Sequence, residues 1–353
     1  MSPLAENRAA PDLAQRPVFW WLIAVALMIF LMVVVGGATR LTESGLSITH
    51  WSPISGALPP LSAADWQREF ALYQQTDEYR LEHAWMQLAD FKQIFWWEWG
   101  HRLLGRLIGL VYALPFFWFL WRGVLPKRLV PRFWAMLALG GLQGAIGWWM
   151  VASGLVGRTD VSHYRLAVHL LMALAIFSLV VWTAFDLRPA KASMDTRLKI
   201  PSIVTLALLP VQIGLGAFVA GLNAGFAFNT WPLMGDRFAP DGLWSLTPVW
   251  LNALENPITV QFLHRCVAYA LFAAGMWACA CAWRAGYRVR ACALAAALTG
   301  QVALGVATLV SGVPVWLGVA HQAGGVLLLA AALWVAHAAA GSGRSGGFER
   351  ALA

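Results

Sequence analysis

Residues 95–121 read Phe-Trp-Trp-Glu98-Trp-Gly-His101-Arg102-Leu-Leu-Gly105-Arg106-Leu-Ile-Gly109-Leu-Val-Tyr-Ala-Leu-Pro-Phe-Phe-Trp-Phe-Leu-Trp121. About 20 mostly apolar residues suffice to cross a bilayer as a helix, and here the charged residues and the histidine gather towards one end. Seven more runs meet the same criterion: 18–38, 133–152, 166–185, 201–222, 260–283, 291–310 and 317–337. The whole chain agrees, with 353 residues that are 59% apolar and 12% charged and a mean hydropathy of +0.62. Soluble chains are nearer half apolar and a quarter charged, so this one cannot keep its surface in water. The expected fold class is an all-α integral membrane protein with eight transmembrane helices. A net charge of +8 does not mark a nucleic-acid binder, because the basic residues sit in short segments between the apolar runs. The first run is too long for a secretory signal and is followed by a bundle, so it reads as a retained span; Glu6 and Asp12 argue against a mitochondrial transit peptide.

Lys and Arg set the orientation. Arg8 and Arg16, then Arg122, Lys127, Arg128 and Arg132, then Arg188, Lys191, Arg197 and Lys199, then Arg284, Arg288 and Arg290, then Arg344 and Arg350 occupy both termini and every second loop. The opposite loops are acid-rich or neutral, notably 39–94 and 223–259. Both termini are therefore expected in the cytoplasm. The chain also repeats itself. Gly37-Ala38 matches Gly216-Ala217, Pro53–Gly56 matches Pro232–Gly235, and Gly100-His101-Arg102 matches Leu263-His264-Arg265. Gln143, Gly147, Ser153 and Gly154 align with Gln301, Gly305, Ser311 and Gly312, and Val168-His169 with Ala320-His321. The expected organisation is a tail 1–17, a four-helix unit 18–190 with the outer loop 39–94, a second unit 191–340 and a tail 341–353. An even number of spans per unit gives two tandem four-helix bundles related by a pseudo-twofold axis along the membrane normal.

The repeat sorts the eight histidines. His101 and His264 lie near the outer ends of spans two and six, and His169 and His321 near those of spans four and eight. Polar side chains inside hydrocarbon face the bundle interior and need a partner. Two imidazoles across a four-helix bundle, with no carboxylate or thiolate to complete a tetrahedron, suit an axially ligated haem better than zinc. Gly105, Gly109, Gly140, Gly141, Gly144, Gly147, Gly324 and Gly325 either leave a slot for the macrocycle or let helices approach closely. Arg102 and Arg265 either meet haem propionates or snorkel to the interface. His50, His83, His163 and His337 do not repeat and read as structural. Cys266, Cys279, Cys281 and Cys292 form no ligand pattern and read as small core residues.

The units differ at one telling place. Glu98 stands three residues before His101, where Gln261 precedes His264. A carboxylate at a haem edge can accept a proton or stabilise developing positive charge, and an amide can only hydrogen-bond. The first unit is thus expected to do chemistry and the second to hold a haem for electrons. In the long loop, Ser62 and Asp65 suit the cap of a short helix whose apolar side, Trp66, Phe70 and Tyr73, fits a segment lying on the membrane surface. Phe95, Trp96, Trp97 and Trp99 either border an entrance for a hydrophobic substrate or belong to the interfacial aromatic belt.

Taken together, Glu98–Arg102, Gly36–Leu46, Phe228–Gly235 and Gln261–Arg265 make the chain resemble the haem A synthase family over roughly residues 18 to 337. The long first loop without cysteines resembles the branch shared by proteobacteria and mitochondria. The resemblance implies oxidation of a haem O methyl group to formyl by successive hydroxylations, giving haem A for terminal oxidases. It implies that His101 and His169 ligate the haem being modified, that His264 and His321 hold a resident haem b, and that Glu98 is the acid needed for turnover. A haem O synthase is the implied donor, with the electron donor and any homo-oligomer left open. The competing reading is a dihaem b-type, quinol-linked electron carrier that modifies no substrate. A transporter built from repeats fits less well, because its polar residues belong near the midplane rather than at one face.

Overall fold

The computed structural model describes residues 15–188 and 196–340. Arg8, Glu6, Asp12, Lys191, Arg344 and Arg350, the expected unit boundary at 190–191, the tail 341–353 and most of the tail 1–17 lie outside the described residues. Among the described residues run ten α-helices: α1 (Arg16–Leu41), α2 (Ala63–Tyr73), α3 (Leu88–Trp121), α4 (Val130–Val151), α5 (His163–Asp186), α6 (Thr196–Gly221), α7 (Asn252–Glu255), α8 (Pro257–Arg284), α9 (Arg288–Val310) and α10 (Val315–Ala340). All but α2 and α7 are long and apolar enough to cross a membrane, which gives the eight expected spans. In hydrocarbon only helices and closed barrels satisfy their own backbone groups, and a chain this apolar has few other choices.

Helix ends follow local chemistry. Gly123 after α3 and Gly286 after α8 take φ +64° and +85°, the left-handed conformation that closes a helix and that a side chain resists. Asn256 caps α8 through its side-chain oxygen, which accepts the backbone N–H of Ile258 at 3.0 Å. Ser62 and Asp65 form a reciprocal capping box at α2, as the sequence predicts. The apolar side of α2 packs on protein. Phe70 and Tyr73 are buried with Phe91, Ile94 and Phe95 in a satellite core on the outer turns of α3, and Trp66 meets Phe95 edge-on at 4.9 Å.

The long helices pack as two rings. In the first, α1, α3, α4 and α5 touch in that cyclic order; in the second, α6, α8, α9 and α10 do the same. The rings meet where α5 touches α6 and α10, and α1 touches α10. Exchanging α1, α3, α4 and α5 for α6, α8, α9 and α10 leaves these principal pairings unchanged. One continuous core, from Val18, Leu22 and Phe116 to Leu294 and Leu333, occupies the inner half of both rings. At its inner rim Asp186 accepts hydrogen bonds from Arg132 at 2.5 Å and from His337 at 2.9 Å, joining α4, α5 and α10. His337 is therefore a structural residue. The outer half of each ring is more open, and the histidines stand there.

Candidate functional site

In each ring the histidine-bearing helices are diagonal: α3 and α5 in the first, α8 and α10 in the second. His101 and His169 thus stand on opposite corners of the first ring, and His264 and His321 on opposite corners of the second. All four are half-buried. Each imidazole lies against a glycine of the neighbouring helix. A methyl group placed on Gly36 would come within 3.1 Å of His101, on Gly147 within 2.9 Å of His169, on Gly216 within 3.2 Å of His264, and on Gly305 within 2.8 Å of His321. Gly147 and Gly305 are repeat partners in the sequence. Their neighbours Gln143 and Gln301 also act alike, each donating its amide to the carbonyl of the ring's α5 or α10 histidine at 3.0 Å. Gln212 of α6, which the repeat does not single out, lies 3.1 Å from His264 Nδ1.

The other glycines divide. Gly109, Gly140, Gly141 and Gly144 meet nothing within 4 Å, leaving open space along α3 and α4. Gly105 approaches only the end of Met32, and Gly324 and Gly325 seat Gln301. Among the described residues no three His, Cys, Asp or Glu side chains gather to hold an ion, and all four cysteines are free thiols. Paired imidazoles at diagonal corners, with glycine beside each ring, fit a flat macrocycle ligated from both faces. They offer no tetrahedron for zinc. The second ring fits a resident haem on its own evidence as well: His321 Nδ1 is buried without a partner, and Gly216 and Gly305 form the cradle.

Glu98 is 2% exposed and accepts four hydrogen bonds. Ser47 Oγ donates at 2.7 Å and the Ile48 N–H at 2.8 Å to one oxygen. Arg102 Nε and Nη2 donate to the other at 3.1 and 2.6 Å. The same guanidinium donates to the carbonyls of Ile48 and His50 at 2.8 and 2.9 Å, so Arg102 straps the start of the outer loop over the ring. Trp51 completes the strap by stacking on Trp148 of α4, with centroids 6.2 Å apart and planes 10° off parallel. The second ring repeats the device without the acid. Gln261 donates to the Phe228 carbonyl at 3.0 Å, and Arg265 to those of Thr230 and Phe228 at 2.9 and 3.2 Å, leaving its Nε buried and unpartnered.

The remaining histidines lie elsewhere. His163 starts α5, seated on Gly221 and 3.0 Å from the Leu254 carbonyl. His50 is half-exposed at the loop surface, 3.8 Å from Glu69. His83 is buried under the loop with Nδ1 2.8 Å from the Tyr73 hydroxyl and Nε2 3.4 Å from Glu43. Beside Tyr73 lies Glu78, 4% exposed and with one oxygen unpartnered. Burial pushes its carboxyl up to about 8, against the Tyr73 hydroxyl and with the negative field of Glu98, Asp160 and Glu43.

With this geometry in view, comparison with known proteins is decisive. The family model described as cytochrome oxidase assembly protein, COX15-CtaA, matches residues 19–333. The chain belongs to this family. Curated relatives in it are named haem A synthase. That of Parvibaculum lavamentivorans is 49% identical over 327 residues, covering 92% of this chain and 95% of the relative. That of Bradyrhizobium diazoefficiens is 52% identical over 341 residues, 92% of each. That of Rhodospirillum centenum is 51% identical over 347 residues, 96% of this chain and 92% of the relative. The match to the COX15-CtaA model spans both rings and all four histidines.

Proposed function

We infer that this chain carries the activity its relatives are named for, and that the two rings divide the work. It is a haem A synthase, a membrane-bound haem-modifying oxidoreductase. Its substrate is haem O, whose methyl group is oxidised through an alcohol and a hydrate to the formyl of haem A. The observation that carries the division is the pair of cradled imidazoles in each ring, with a carboxylate beside only one pair. His101 and His169 hold the haem O iron. Glu98, one turn outside His101, presents fixed negative charge towards the substrate edge, where charge and protons develop during oxidation. Its four donors keep it in place, and Arg102 holds it together with the strap that covers the ring. His264 and His321 hold a haem b, with Arg265 Nε left for a propionate; that group supplies one-electron chemistry when bound. Gln261 is the neutral counterpart expected where no proton is handled. The protein lies in the bacterial inner membrane with both termini cytoplasmic, and a haem O synthase is the natural donor of a substrate that is itself a lipid.

The test is purified protein supplied with haem O in air, with and without a reductant, followed by chromatography of extracted pigment. Haem A or its hydroxylated precursor is expected from the native chain. Glu98→Gln should keep both haem spectra and lose product. Haem b as the sole pigment under every condition would overturn the reading in favour of an electron carrier.

A further inference from the structure

Between the strap, α2 and α3 the first ring has a polar chamber of about 300 Å³, lined among others by Arg102, Arg106, Arg68, Asp65, Glu69 and His50. At about 30 Å³ per water it has room for roughly ten. The corresponding place in the second ring, beside Arg265 and Tyr269, has no room for a water molecule. The lining charges of the chamber are unequal. Arg68 pairs with Asp65 at 2.8 Å and Arg102 with Glu98 at 2.6 Å, and Glu69 faces His50. Arg106 has no carboxylate partner among the described residues. It donates to the carbonyls of Ser52 and Pro53 at 2.8 and 2.9 Å, and its Nη1 is buried without any partner. Gly56 makes the room, since a methyl there would come within 2.8 Å of Arg106 Nη2. Four residues after the repeated arginine, the first ring thus has Arg106 and the second has Tyr269.

We propose that this chamber is a carboxylate site for the propionates of the exchangeable haem, with Arg106 as its positioning cation, so that the first ring admits and releases a haem where the second seals one in. The proposal rests on the haem A synthase reading and deepens it. A half-buried guanidinium whose Nη1 has no hydrogen-bond partner, beside an open polar volume and with no carboxylate paired to it, suits an anion. A lipid phosphate has the same chemistry, and the test separates the two.

The probe is iron protoporphyrin, as free diacid and as dimethyl ester, titrated optically into purified full-length protein that retains its second-ring haem. The native chain should bind the diacid about tenfold more tightly than the ester. Arg106→Gln should abolish that preference by weakening the diacid alone, while Arg106→Lys restores part of it. The unchanged spectrum of the second-ring haem reports a folded protein, and Gly56→Ala, which crowds the guanidinium from outside, should act in the same direction. Equal loss of diacid and ester, or no loss, overturns the proposal. So does loss of bound phosphatidylglycerol from Arg106→Gln with an unchanged diacid preference, which would assign the chamber to lipid. Absence of haem A formation from haem O, with the preference still tracking Arg106, would instead remove the enzymatic reading and leave the chamber.

Discussion

Gly147 and Gly305 each have an imidazole where a side chain would be. Gly147→Val should displace His169 and empty the first ring of haem while leaving the second-ring spectrum; Gly305→Val should do the reverse, as read by haem content per polypeptide. Glu98→Gln keeps the size of the side chain and most of its acceptor capacity but removes the charge. It should lower haem A formation by about 10²-fold or more, as loss of a positioned acid or base does, with both haems still bound. Glu78 makes a different prediction. Its carboxyl is raised to about 8, above the ordinary carboxyl value of about 4.3, so the folded state binds the proton more tightly. That contribution is present at low pH and fades as pH climbs through this window, at roughly 1.4 kcal/mol per pH unit. Thermal unfolding of Glu78→Gln should therefore lose less stability than the native chain between about pH 5 and 8; parallel slopes would contradict it. At this scale the sequence reveals what repeats: the four histidines, Gln143 with Gln301, and Glu98 against Gln261. It hides what only three-dimensional neighbours create. Gly216 reads only as the repeat partner of Gly37, and Gly36 only as the start of the Gly36–Leu46 stretch, not as beds for imidazoles, and the significance of Arg106 depends on a loop fifty residues away.

The spans themselves are legible to within a few residues, because bilayer thickness dictates their length and composition. The largest departure is α3, which begins at Leu88 rather than 95. Its first two turns carry Asp90, Lys92 and Gln93, so an apolar-run criterion stops short. The helix nonetheless continues, because Gln87 and Asp90 form a capping box and Phe91 and Ile94 are buried under α2. The amphipathicity of α2 was legible too, but not the surface it covers. Periodicity shows that a face is apolar, not whether lipid or protein meets it. Ser62→Ala removes the α2 cap and should cost about 1 kcal/mol locally. Faster amide exchange confined to α2 and the outer turns of α3, with haem spectra unchanged, is the expected result.

For the whole molecule, each ring has its own proposed pair of ligands, so the rings should load independently. His264→Ala should remove the second-ring haem and halve the pigment without disturbing ligation at His101 and His169; loss of both would contradict a self-contained pair in each ring. The junction between rings is built chiefly from α5 and α10, which touch each other and the opposite ring. These same helices carry His169 and His321. One histidine of each pair therefore stands on a common central wall, whereas the space left by the unfilled glycines lies along α3 and α4, on the far side of the first ring. In the proposed haem-loaded protein, a bulky, tailed guest would come and go through this loosely packed flank, while the distance an electron crosses between the two irons is set by the helices that join the rings.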